Sequence, residues 1–153
     1  DTGTLRAGLL DLAPVAGRLC PLECGGLRVI DDTYNANPDS IAAAVSVLTD
    51  LPGRHWLVLG DLGELGEDAR TLHAEVGIGA RAAGVDRLAT VGELSAEASR
   101  AFGGDAIHCG DQPALIARLR EALVPGDVVL VKGSRMMQLE RIVARLREER
   151  SGA

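Results

Sequence analysis

Three stretches of this 153-residue chain concentrate side chains that could bind or move charge. They are Asp31-Asp32-Thr33-Tyr34-Asn35-Ala36-Asn37-Pro38, Gly60-Asp61-Leu62-Gly63-Glu64-Leu65-Gly66 and Lys132-Gly133-Ser134-Arg135. Paired carboxylates such as Asp31 and Asp32 suit ribose hydroxyls or an amine, although both could equally be solvated turn residues. Tyr34 stands out because only 2% of the chain is aromatic, yet this ring sits among polar neighbours instead of in a core strand. Loop aromatics of that kind tend to contact ligands. Asn37-Pro38 has a plainer use, since asparagine as N-cap and proline at the first helical position start a helix well. Capping explains Asn37 as well as binding does.

The third stretch holds the only lysine of the chain, Lys132. Gly133 lets the backbone come close, Ser134 offers a hydroxyl, and Lys132 and Arg135 bring charge. A helix beginning by about Met136 would add unpaired amides and the positive end of its dipole, which together favour an anion. No acidic residue intervenes until Glu140. The helix after Pro38 instead carries Asp39 in its first turn, which opposes an anion by about 0.3–1 kcal/mol. A carboxylate is therefore expected at the third stretch, leaving the first for ribose or amine.

Other candidates are weaker. His73 shares a helical stripe with Val76 and Ala80 and reads as a satisfied, partly buried histidine. His108, Cys109, Cys20 and Cys24 lack zinc-ligand spacing, so no metal site is expected. Neither a G-x-x-x-x-G-K-[ST] loop nor a G-x-G-x-x-G after a strand is present, which disfavours a self-contained triphosphate or dinucleotide site. A net charge of −6 and so few rings argue against nucleic acid. The apolar runs fall short of the ~20 residues a membrane span needs, and no signal peptide is evident. Three cysteines suit a reducing cytoplasm better than a disulfide framework.

Periodicity supplies the elements that must position these stretches. Short apolar runs at Leu27–Ile30, His55–Leu59, Leu88–Val91, Ala106–Cys109 and Asp127–Val131 each precede a helical pattern. The helices are expected over Ser40–Leu51, Asp68–Ala83, Ser95–Ala101, a segment carrying Leu115, Leu119 and Leu123, and a last one carrying Met136, Leu139, Ile142, Val143 and Leu146. Five strand–helix units imply parallel strands with helices on both faces. Arg18–Glu23 and Leu27–Asp31 flank Cys24-Gly25-Gly26, a plausible hairpin turn that adds one antiparallel edge strand. The fold class is thus α/β: a three-layer, Rossmann-like arrangement around a mostly parallel six-stranded sheet. Residues 1–16 read as the tail of a preceding domain or linker, and 17–153 as the domain itself.

Gly17-Arg18 and Val29 through Ser40 resemble the opening of the C-terminal domain of the Mur ligases. The Gly60–Gly66 and Val131–Arg135 stretches are similar to later motifs of that family, in the same order, and the resemblance spans roughly residues 17 to 147. Met136 departs from it slightly, where a serine often follows Gly-Ser-Arg. The resemblance implies a cytoplasmic three-domain ligase of peptidoglycan precursor synthesis, in which this domain closes over ATP. Asp-Asp-Thr-Tyr-Asn-Ala-Asn-Pro looks like the branch that adds D-alanyl-D-alanine to UDP-N-acetylmuramoyl-tripeptide. ATP and Mg²⁺ would then be held mainly by a central domain outside this chain, and the partners would be those substrates and the enzyme's own N-terminal and central domains. Position by position, the resemblance implies that Arg18, Asp32, Tyr34 and Asn37 approach the nucleotide. It places Asn35, Asp61, Glu64, Lys132, Ser134 and Arg135 toward the substrate, and it implies no activity for this piece alone. Two alternatives stand beside it. One is the matching domain of a folylpolyglutamate synthetase, without the Tyr-Asn-Ala-Asn-Pro wording; the other is a stand-alone flavodoxin-like binding or receiver module whose acidic strand ends hold Mg²⁺ or a phosphoacceptor.

Overall fold

The computed structural model describes residues 19–34 and 36–151. Arg18, Asn35 and the expected preceding segment 1–16 lie outside them. Strands β1 (Cys20–Cys24) and β2 (Leu27–Asp32) form the hairpin, with Cys24 opposite Leu27. Gly25 and Gly26 both take positive φ, 54° and 86°, as a two-residue turn matched to strand twist requires. Thereafter come α1 (Pro38–Thr49), β3 (His55–Gly60), α2 (Ala69–Ala83), β4 (Arg87–Val91), α3 (Ala96–Phe102) and β5 (Ile107–Cys109). The chain finishes with α4 (Gln112–Ala122), β6 (Val128–Lys132) and α5 (Glu140–Ser151).

The sheet order is β1-β2-β6-β3-β4-β5, with only the β1–β2 pair antiparallel. Both faces are covered, as a parallel sheet requires. Val129 and Val131 of β6 point with Val29, Trp56 and Val58 toward Leu115 and Leu119 of α4 and Ile142 and Leu146 of α5. Val128 and Leu130 point with Ile30, Leu57 and Leu59 toward Ile41 and Leu48 of α1, Val76 of α2 and Phe102 of α3. Side-chain alternation along each strand thus divides one sheet between two cores.

One expected element changes. The last helix begins at Glu140, and residues 135–137 form a separate 3₁₀ turn closed by Gln138 in the left-handed conformation, φ 52°. Leu139 explains the interruption: it is fully buried, lying over Gly60 and Gly133, where an added Cβ would come within 2.9 and 2.5 Å of its Cδ1. Met136, expected on the apolar stripe, is 88% exposed. Helical continuity would pull Leu139 off the two glycines.

At the amino ends of the strands, Arg54 grips Asp127 with Nε–Oδ1 at 3.0 Å and Nη2–Oδ2 at 2.8 Å. Trp56 Nε1 and the Val124 amide also donate to Asp127 Oδ2, each at 3.0 Å. Arg54 and Arg87 approach the buried Trp56 ring at 5.4 and 4.7 Å from its centroid, cation–π contacts strengthened by burial. Burial alone would push the Asp127 carboxyl up, but the Arg54 guanidinium, the Val124 amide and the indole together hold it below the ordinary carboxylate value.

Candidate functional site

Ligands in open parallel sheets bind beyond the carboxyl ends of the strands, where neighbouring connections diverge to opposite faces. Here that place is β2-β6-β3. Helix α1 carries the chain from β2 over one face, whereas α4 leads into β6 on the other. Strand order therefore sets the three polar stretches side by side, although the third lies about a hundred residues after the first in sequence. The loops after β4 and β5, beginning Gly92-Glu93 and Gly110-Asp111, fall to one side.

Inside this edge, Asp32 and Lys132 are direct register partners on β2 and β6. Lys132 Nζ donates to Asp32 Oδ2 at 2.5 Å, and their side chains are only 3% and 12% exposed. The other carboxylate oxygen accepts the Leu19 amide at 3.1 Å. Lys132, expected to present its charge to a bound carboxylate, here turns its ammonium into the sheet edge, where it meets the Asp32 carboxylate. The pairing also joins two residues assigned above to different ligands.

In the first loop, Asp31 Oδ1 accepts from Thr33 Oγ1 at 2.6 Å and from the Thr33 amide at 3.2 Å, an ordinary aspartate turn. Asn37 is the N-cap of α1: its Oδ1 accepts the Ser40 amide at 2.8 Å, and Ser40 Oγ accepts the Asn37 amide at 3.0 Å. This reciprocal capping box accounts for the Asn37 side-chain oxygen. Tyr34 is 43% exposed.

The second loop is fixed from behind. His73, fully buried, accepts the Leu62 amide at Nε2 (2.9 Å). Its Nδ1 lies 2.6 Å from the Ala69 carbonyl, to which it must donate. Both ring nitrogens are thus engaged in one neutral tautomer, and the histidine is a structural pin. Asp61 Oδ1 accepts the Ser95 amide at 2.7 Å, so this carboxylate ties the loop to the start of α3. Gly92 makes room for it, since a Cβ there would lie 2.5 Å from Oδ1. Glu64 is exposed and adopts a left-handed backbone, φ 59°.

The third loop joins the other two. The Ser134 amide donates to the Asp61 carbonyl at 3.1 Å, while the buried Ser134 side chain makes no capping bond to the short turn. Arg135 lies over Tyr34, with Cζ 5.9 Å from the ring centroid, and donates to Glu140 Oε1 at 3.1 Å. Gln112 Nε2 donates to the Met137 carbonyl at 2.6 Å and steadies the turn from the α4 side. Because α5 starts at Glu140, the argument from a helix dipole at residues 133–135 no longer holds. Among the described residues of this loop, the exposed cation is the Arg135 guanidinium beside the Tyr34 ring. Sequence reasoning missed Glu140, Gln112 and Leu139. Only the apolar period signalled Leu139, and it signalled a different structure.

Comparison with known proteins identifies relatives of the chain. A family profile described as "Mur ligase, glutamate ligase domain" matches residues 17–135. The UDP-N-acetylmuramoyl-tripeptide–D-alanyl-D-alanine ligase of Escherichia coli (strain K12) is 43% identical over 148 residues, covering 94% of this chain and 32% of the ligase. The corresponding ligase of Mycobacterium bovis is 41% identical over 134 residues, covering 71% of this chain and 26% of its own length. Among solved structures, the MurF ligase from Thermotoga maritima in complex with ADP superposes with a TM-score of 0.82 at 28% identity, covering 99% of this chain and 36% of that one. The chain thus spans about a third of the length of such relatives. Escherichia coli FolC shares the fold at 20% identity, with a TM-score of 0.62 over 92% of this chain and 33% of its own.

Proposed function

The chain belongs to the Mur ligase family, and we propose that it is the C-terminal domain of an ATP-dependent ligase joining D-alanyl-D-alanine to UDP-N-acetylmuramoyl-tripeptide. The observation that carries this reading is the 43% identity, over nearly the whole chain, to a ligase bearing that name. The side-by-side loops after β2, β6 and β3 support it. Tyr34, Asn37 and the flanking Arg18 and Asn35 belong to the nucleotide side, with Asp32 behind them. Arg135, Ser134 and Glu64 belong to the dipeptide side, with Asp61 and Lys132 supporting the loops.

ATP, held with Mg²⁺ mainly by the central domain, supplies the activation of the tripeptide carboxylate. The part played by this chain is to close, to hold the dipeptide and to exclude water. Bringing an amine and an activated acyl group into contact is worth up to about 7–11 kcal/mol of barrier, and closure protects the activated group from hydrolysis. Arg135 would orient the dipeptide through its carboxylate, while the ring of Tyr34 limits where the guanidinium can swing. The cytoplasm is the compartment that the family resemblance implies for such an enzyme.

The test compares the full-length enzyme with the 153-residue chain. The full enzyme should form the extended UDP-linked peptide only with ATP, Mg²⁺ and D-alanyl-D-alanine present, and the chain alone should release no phosphate. Phosphate release that tracks the purified chain, or a full enzyme indifferent to the dipeptide, would sink the reading.

A further inference from the structure

His73 and Ser134 hold opposite sides of one peptide. The Leu62 amide donates to His73 Nε2 at 2.9 Å, and the Asp61 carbonyl accepts the Ser134 amide at 3.1 Å. That N–H and that C=O belong to the same planar unit and point in opposite directions. Helix α2 is therefore joined through a single peptide to the loop that follows β6. The flanking positions are pinned separately, by the buried Leu62 side chain and by the Asp61 carboxylate on the Ser95 amide. What these leave free is rotation of the peptide about the line between its two Cα atoms. Such a rotation would break both bonds at once. Glycine stands on either side, at Gly60 and Gly63, so the local backbone does little to oppose it. The loops also meet here, since a Cβ on Gly63 would lie 3.7 Å from Ser134 Cβ.

We propose that His73 is a positioning residue for the dipeptide side of the site, setting through the 61–62 peptide where Ser134, and with it Arg135, stands. The inference rests on the ligase reading and deepens it, because the dipeptide carboxylate is the group this loop would meet. Imidazole suits the post for three reasons. An amide nitrogen can only donate, so Nε2 must accept and the ring proton must sit on Nδ1, 2.6 Å from the Ala69 carbonyl. The ring is thereby clamped between its own helix and the loop. It is fully buried, where a bond left unmade costs most. A peptide that donates on one side also accepts more strongly on the other, so the His73 bond strengthens the Ser134 bond. The effect of a histidine sealed behind the loop thus reaches the ligand edge through two hydrogen bonds.

Two measurements decide it. In the full-length enzyme, three variants separate the two ring nitrogens. His73→Gln keeps an oxygen that can reach the Leu62 amide, His73→Asn reaches only the Ala69 carbonyl, and His73→Leu makes neither bond. His73→Asn and His73→Leu should raise the KM for D-alanyl-D-alanine roughly tenfold and leave the KM for ATP within about twofold. His73→Gln should stay within about threefold of wild type for the dipeptide. Equal losses in His73→Gln and His73→Asn, a parallel rise for ATP, or an unchanged dipeptide KM would overturn the proposal. The second measurement needs no variant. In the wild-type 153-residue chain, amide exchange followed by NMR should show Leu62 and Ser134 opening together, with protection factors that agree within about fivefold. A wider gap overturns the coupling, even where every His73 variant fails to fold. If the wild-type full enzyme shows no ligase activity, the functional reading fails by itself, and the exchange experiment still decides the coupling.

Discussion

The two ends of the sheet each hold an ion pair around a largely buried carboxylate, and they are built differently. At the amino end, Asp127 accepts from Arg54, Trp56 and the Val124 amide, and the guanidinium also reaches the Ala122 carbonyl at 3.1 Å. Those donors all lie in that end of the fold. At the carboxyl end, the Asp32 carboxylate is divided between β6 and the incoming chain, and the loops around it carry exposed Tyr34, Glu64 and Arg135. A cluster that is satisfied locally fixes the fold. A pair whose partners lie on separately connected segments ties those segments together. Burial alone does not separate the two roles; the destinations of the bonds do.

The largest expected effect breaks the amino end. Asp127→Ala leaves the Trp56 indole buried without an acceptor and strands Arg54, so the 153-residue chain should lose about 3 kcal/mol in urea unfolding. A loss below about 1 kcal/mol would mean that this cluster is not the anchor described. At the other end the cost should fall on kinetics. Arg135→Ala in the full-length enzyme should raise the KM for D-alanyl-D-alanine roughly tenfold or more, with little change for ATP and stability within about 0.5 kcal/mol. An equal loss for ATP would place the dipeptide carboxylate elsewhere.

Acid sharpens the contrast more gently. The folded Asp127 carboxyl sits below its unfolded value of about 3.9. Its stabilisation is therefore complete above that value and lost as pH falls through the lower folded one. Unfolding of the wild-type chain should steepen below about pH 4, and Asp127→Asn should flatten that limb; parallel limbs would assign the acid sensitivity to other carboxylates. The smallest effect belongs to the exposed pair Arg135–Glu140. Glu140→Gln should shift stability by no more than about 0.5 kcal/mol while changing the dipeptide KM, because the guanidinium loses its lateral tether. A shift confined to stability would show that the tether does not aim Arg135.

Much of this was legible in the chain. Five strand–helix units, the Gly25-Gly26 turn and the three polar stretches are local patterns, and local patterns survive folding. Tyr34 was readable from its polar neighbours, and His73 from its place on an apolar stripe. The Asp32–Lys132 pair was not readable, because it depends on β6 inserting between β2 and β3, a fact of topology that no short window contains. The start of the last helix failed for a similar reason. Met136, Leu139 and Ile142 keep helical spacing, but the decision lies with Gly60, nearly eighty residues away, which offers Leu139 a better seat than the helix does. Asp61 was set toward the substrate by its place in the motif; its bond from the Ser95 amide is visible only in three dimensions.

That seat under Leu139 has an evolutionary consequence. Gly60, Gly133 and Leu139 occupy one small volume, so their substitutions are epistatic. A methyl group at either glycine is harmful while the leucine is present and becomes tolerable only once position 139 has shrunk. Shrinking it first empties the seat and frees the Arg135 turn. Each path between the present triplet and a differently packed one thus crosses a poor intermediate, and drift one residue at a time is blocked. The placement of the exposed Arg135 guanidinium is thus tied to three apolar positions packed beneath its turn.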